Sequence, residues 1–146
     1  RKEGESMKIV IIDGQGGKMG KSVIEQLKKR FPSLETYAIG TNSIATSAML
    51  KAGATYGATG ENPAIVNAQD ADIIIGPIGI VMANSLLGEI TPAMATAIGI
   101  SKAYKILIPV NRCNHYIVGC QNSTLSDYIN MVCDEVGKEA GINENH

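Results

Sequence analysis

Lys8-Ile9-Val10-Ile11-Ile12-Asp13-Gly14-Gln15-Gly16-Gly17-Lys18-Met19-Gly20 is the stretch whose reading decides the fold. Its first five residues form an unbroken run dominated by β-branched side chains. No polar residue alternates with them, so both faces of the strand must be covered, as in a parallel sheet. Glycines then break the run, and an amphipathic helix follows over about Lys18 to Arg30. Met19, Val23, Ile24 and Leu27 mark its inner face, with Lys21, Glu25, Lys28 and Lys29 outside.

The alternation continues along the chain. Glu35 to Ile39 reads as a strand, and Gly40-Thr41-Asn42-Ser43 leads into a helix to about Ala52, with Gly53 as C-cap. Ala54 to Ala58 is a short strand, and Glu61 to Ala68 a helix with Pro63 in its first turn. Asp72 to Ile75 is a buried strand stopped by Gly76-Pro77. Ile78 to Leu87 reads as an apolar helix, and Thr91-Pro92 opens another to about Ile98. Lys105 to Val110 is a strand, Tyr116 to Val118 a candidate sixth, and Ser123 to about Lys138 the closing helix. Strands alternating with helices predict a doubly wound, mainly parallel α/β sheet, Rossmann-like, in three α/β/α layers. The expected strand order is 3-2-1-4-5. Arg1 to Ser6 is read as a leader, residues 7–140 as one domain, and 141–146 as a tail.

Composition narrows the function. Of 146 residues, 45% are hydrophobic and 18% charged, which excludes a disordered chain. Aromatics make up only 4%, so the core is aliphatic and stacking platforms for single-stranded nucleic acid are lacking. A net charge of −1 leaves no general basic face for a nucleic acid. Three cysteines without a secretory signal read as reduced thiols in a cytoplasmic protein. The longest uncharged stretch, Ile73 to Gly88, is too short and too broken to span a membrane.

A strand–glycine loop–helix unit is suited to binding phosphate. Glycines let the backbone approach an anion, and the helix start offers free N–H groups. The competing reading is a glycine turn that only packs helix on strand. The cofactor-binding candidates are Asp13, Gly14, Gln15, Gly16, Gly17, Lys18 and Met19, with Thr41, Asn42 and Ser43 after the second strand. Gly76, Pro77, Ile78 and Gly79 after the fourth strand complete the set. Asp13 would repel a pyrophosphate unless it holds a ribose or a metal ion. No acid stands at the end of the second strand to hold a ribose diol, so a dinucleotide there would be NADP rather than NAD.

Read as Gly14-x-x-Gly17-x-x-Gly20, the loop resembles that of dihydrodipicolinate reductases, with Lys18 in place of their Arg. That likeness implies a nicotinamide dinucleotide, NADP or NAD. From Met7 to about Gly137 the chain also resembles a small bacterial family known only as a domain of unknown function. The carriers are Asp13 to Gly17, Gly40 to Ser43, Ala58 to Asn62, Gly76 to Gly79, Gly88 to Pro92 and Asn111 to Asn114. This implies a Rossmann-like fold and no established activity.

In such a sheet, ligands bind beyond the carboxyl ends of the strands where strand order reverses. The loop Asn111-Arg112-Cys113-Asn114-His115 should neighbour that crevice. Arg112 suits a phosphate or carboxylate, or is a solvated loop residue. Asn111 and Asn114 suit a polar substrate, or make Asx-turns. His115 is more readily structural than catalytic. Cys113, His115 and Cys120 lack the paired spacing of a zinc site, so no metal is assigned, and Cys133 reads as core. Glu89, the one charged residue between Asp72 and Lys102, is paired, exposed at a turn or functional, with the exposed turn favoured. Glu61 reads as a helix-start acid.

Two functions from different classes follow. One is a nucleotide-binding protein with possible NAD(P)-dependent reductase activity. The other is a non-catalytic sensor or scaffold for a phosphorylated metabolite or mononucleotide. A structural homo-oligomer with a vestigial loop is a third. The region from Ile78 to Ile98 is apolar almost all round, which predicts a homo-oligomer, dimer or higher, whose second subunit helps to complete the site.

Overall fold

A computed structural model describes residues 6–110 and 115–142. Strand β1 spans Ile9–Asp13, helix α1 Lys18–Arg30, β2 Thr36–Gly40, α2 Ser43–Lys51, β3 Tyr56–Thr59 and α3 Glu61–Asp70. Then come β4 at Ile73–Pro77, a 3-10 turn at Ile78–Val81, α4 at Pro92–Ile100, β5 at Tyr104–Ile108 and α5 at Leu125–Ala140. The sheet has the order β3-β2-β1-β4-β5, and every neighbouring pair is parallel.

β1 and β4 show why these runs carry no polar alternation. Ile9 and Ile11 point into one core with α1, α2 and α5, through Val23, Ile24, Leu27, Met49, Ile129 and Val132. Val10 and Ile12 point into the other with α3 and α4, through Ala64, Ala68, Met94 and Ile98. Ile73 to Ile75 alternate in the same way. Each fully buried Ile stabilises the fold by about 1.5–3 kcal/mol, so paired aliphatic cores replace the missing aromatics. Cys133 is wholly buried in the first core, as expected, and burial pushes its thiol up to about 11.

The sheet positions the site. The ladder between β1 and β4 ends at Ile11 and Ile75. Beyond it the chain leaves β1 toward the α1 face and β4 toward the α4 face. The two departing loops diverge and open a crevice between them.

Two expected elements differ. The helix over Ile78–Leu87 is absent: a single 3-10 turn ends at Val81, and turns run on toward Thr91. The chain there ties back on itself. The Ser85 hydroxyl donates to the Gly79 carbonyl, Asn84 N–H to Ile90 and Ile90 N–H to Ser85. Asn84, Leu86 and Leu87 stand at φ 65°, 54° and 55°, values no right-handed helix contains. Tyr116–Val118 forms no strand, and both named residues are highly exposed. Pro109 follows β5 directly and has no N–H to give a ladder.

The loss of that helix changes the basis of the self-association argument. Ile80, Ile90, Met94 and Ile98 are all buried within one protomer, on α3 and the sheet. Leu87 and Ile100 are what remain exposed. No helix among the described residues is long and apolar enough to cross a membrane.

Candidate functional site

The loop after β1 is built around one buried carboxylate. Asp13, 4% exposed, takes Gly14 N–H on Oδ1 at 2.8 Å and Gly20 N–H on Oδ2 at 2.7 Å. Each oxygen takes one backbone N–H, and Asp13 thereby braces the loop. Burial pushes its carboxyl above the usual range, and the nearby Glu89 charge pushes the same way. The two N–H bonds pull it back in part. Gly20, the third glycine of the Gly14-x-x-Gly17-x-x-Gly20 pattern, is there for packing, since a Cβ would lie 2.5 Å from Met49 Sδ and 3.0 Å from Asp13 Cβ.

Gly17 turns the chain into α1 at φ 74°, where a Cβ would also lie 2.8 Å from Ala45 Cα. Gly16 differs from it: a Cβ there meets nothing within 4 Å, because the residue borders open space. The amides of Lys18 and Met19, in the first turn of α1, have no acceptor within their own helix.

That open space is a cavity of about 350 Å³. Asp13 through Met19 form one wall, and Pro77, Ile78 and Gly79 face them. Ser85, Leu86, Val110, His115 and Leu125 complete it. Its size falls in the range of about 300–1,000 Å³ typical of small-molecule sites. It lies beyond the carboxyl ends of β1 and β4, where strand order reverses.

Four candidate residues lie elsewhere. Gly76 is buried in β4, where a Cβ would run into the Ile12 carbonyl oxygen. Ser43 opens α2 on the exposed side, beside Lys21, Ile44 and Ser47. Thr41 and Asn42 face Glu89. Its Oε1 accepts from Gln15 N–H at 2.8 Å, from Asn42 Nδ2 at 3.1 Å and from the Thr41 hydroxyl. Burial alone would raise the Glu89 carboxyl. The bonds from Gln15, Thr41 and Asn42 outweigh it and hold the group below its usual range. Glu89 is thus paired, not the exposed turn acid that was favoured. Asn111, Arg112, Cys113 and Asn114 lie outside the described residues.

Sequence reading did not find Ser85, Leu86, Val110 or Leu125. Leu86 was hidden in a run that looked helical. Leu125 had a usable signal: the helix after the fifth strand begins where that strand ends, beside the crevice. His115 does reach the cavity wall, with Nε2 3.1 Å from the Val110 carbonyl oxygen. Glu61 stands in the first turn of α3, as expected, and accepts from the Thr91 hydroxyl at 2.6 Å.

Fold and crevice define a doubly wound α/β protein with a cavity at the point where strand order reverses. Over residues 8–141 the chain matches the family described as Domain of unknown function (DUF3842), and it belongs to that family. Comparison with curated proteins finds no match. Among solved structures, it is similar to a dodecameric FMN-dependent UbiX-like decarboxylase from Escherichia coli O157:H7. The TM-score is 0.54 at 15% identity, over 94% of this chain and 97% of that one.

That likeness corrects the expected cofactor. The neighbour depends on FMN and not on the NADP or NAD expected here. Thr41 and Asn42, the groups expected to receive a 2′-phosphate, hold a carboxylate of the chain itself. Neither comparison carries the loop's likeness to dihydrodipicolinate reductases.

Proposed function

We propose that the protein binds a phosphorylated mononucleotide of the flavin type in the crevice between the β1 and β4 loops, with the ring system in the cavity. The carrying observation is the cavity itself. A glycine loop with free helix-start amides forms one wall, and Met19, Pro77, Ile78, Leu86 and Leu125 give it an apolar lining. An aromatic ring buries its faces on such side chains, while a phosphate seeks the loop's N–H groups. The FMN dependence of the structural neighbour supports the flavin class. The reading is one of binding and assigns no reaction. Asp13 is too fully engaged to act as a base, and the cavity wall shows no other carboxylate among the described residues.

Titration of flavin fluorescence with the purified chain tests this. FMN should be quenched saturably, with riboflavin weaker and NADPH and AMP much weaker. Saturable AMP binding without any FMN binding would overturn the flavin class. Gly16→Val projects a side chain into open space at the loop, so it should fold normally yet lose FMN. Unchanged affinity would remove the loop from the site.

The dodecameric state of the neighbour supports self-association here as well, with Leu87 and Ile100 as exposed apolar contacts. Sedimentation at micromolar concentration should show a species heavier than the 15.4 kDa monomer, and a clean monomer would refute it.

A further inference from the structure

Donors from two separate segments converge on one point outside the cavity. Gln15 N–H comes from the loop after β1, and the Thr41 hydroxyl and Asn42 amide come from the junction of β2 and α2. All three meet Glu89 Oε1. The cradle is close to the backbone. A Cβ on Gly14 would lie 2.6 Å from Thr41 Oγ1 and 2.7 Å from Glu89 Oε1. Asn42 Nδ2 also donates to the Gln15 carbonyl at 2.9 Å, which fixes its direction, while its Oδ1 caps α2 through Ala45 N–H. The result is a set of neutral donors aimed at one anionic oxygen, the arrangement that phosphate-binding loops offer.

The occupant arrives by an unfavourable route. Glu89 closes the segment in which Asn84, Leu86 and Leu87 all hold left-handed backbone, and Leu87 is 93% exposed. Ile80 and Ile90 pin the two ends in the core beneath. Between them Leu86 packs against that core, Leu87 is exposed, and the span is tied to itself and, through Glu89, to the cradle. Left-handed non-glycine residues cluster at active sites, ligand clamps and switch regions, and Gln15 of the cradle is another at φ 50°. Asp13 feels the Glu89 charge, so a phosphate in the cradle meets the same repulsion, moderated by the amides of Gly14 and Gly20 on its two oxygens.

We propose that Gln15 N–H, the Thr41 hydroxyl and the Asn42 amide form the seat of a ligand's phosphate, and that Glu89 is an internal stand-in which the phosphate displaces. Two anions cannot share three donors, so binding releases Glu89 and frees the 82–89 span to move. The cradle lies beside the Gly14–Gly17 wall of the cavity. A mononucleotide can thus place its ring in the cavity and its phosphate in the cradle. Only the ligand's identity rests on the flavin reading; the seat itself needs nothing but an oxyanion.

The test compares wild type, Glu89→Gln and the double variant Glu89→Gln/Thr41→Val, with inorganic phosphate and FMN followed by calorimetry and riboflavin as the phosphate-free control. Glu89→Gln keeps the shape and an acceptor oxygen but removes the competing charge. It should bind inorganic phosphate and FMN at least about tenfold more tightly, with riboflavin unchanged. The double variant should lose about tenfold of that gain, because Thr41→Val removes one donor without changing size. Thermal melts confirm that each variant is folded. Equal or weaker phosphate and FMN binding by folded Glu89→Gln would overturn the proposal, as would an equal gain for riboflavin. If neither flavin binds but Glu89→Gln captures phosphate more tightly, the flavin reading fails and the seat stands.

Discussion

The loops that leave β1 and β4 start side by side at the carboxyl end of the sheet and solve the same task by opposite means. The loop after β1 is glycine-rich around a buried carboxylate, and its left-handed positions are Gly17 and one non-glycine, Gln15 at φ 50°, whose N–H donates to Glu89. Gly14 and Gly20 approach neighbours too closely for a Cβ. The loop after β4 puts Asn84, Leu86 and Leu87 in left-handed backbone and holds them by ties to Gly79, Ser85 and Ile90. Its carboxylate is half-exposed and bonds across to the first loop. Glycine sets most of the first loop's backbone, whereas the second carries its left-handed positions on Asn84, Leu86 and Leu87 and holds them by hydrogen bonds within its own span.

Substitutions break this comparison in order of effect. Gly17→Val meets both a left-handed φ and the Ala45 backbone at 2.8 Å. It should cost about 3 kcal/mol or more in denaturant unfolding, and near-wild-type stability would show the first loop to be adaptable. The two carboxylates should then separate by sign in acid. Asp13 has a raised folded pKa, so its contribution is full below the ordinary value of 3.8 and falls as pH rises through the folded value. Glu89 has a lowered one. Its contribution is present above the ordinary value of 4.5 and is lost as pH falls through the folded value.

Unfolding free energies measured across the acid range should lose the first slope in Asp13→Asn and the second in Glu89→Gln. Slopes of one sign in both would refute the contrast. The smallest effect is expected from Leu87→Gly. It relieves a left-handed position and gives up no burial, so it should stabilise by about 0.5 kcal/mol after the entropic cost of glycine. Destabilisation would mean that Leu87 is covered by a partner in solution.

Much of the fold was legible because its signals are local. α1 was expected over Lys18 to Arg30 and spans those residues. Thr91 caps α4, with Pro92 as its first residue. The strand order followed from alternation and the handedness of crossovers. The Ile78–Leu87 span misled because apolar residues without periodicity fit a buried helix and an irregular packed loop equally well. The candidate site was legible in half. Its first wall is contiguous in sequence and glycine-marked. The facing side chains Ser85, Leu86, Val110 and Leu125 carry no motif, since a lining residue is chosen by what stands opposite it.

Glu89 divides the two kinds of information. Sequence by itself determined that an isolated acid stood in an apolar region, and that Gly14 to Gly20 opened a helix after a buried strand. Both follow from residue type and near neighbours, through steric freedom and hydrophobic pattern. Only the tertiary structure decided that this acid reaches Gln15, 74 residues away, and Thr41, 48 residues away. Such a contact depends on how three loops converge at the carboxyl end of a parallel sheet, and no local interaction encodes that distance.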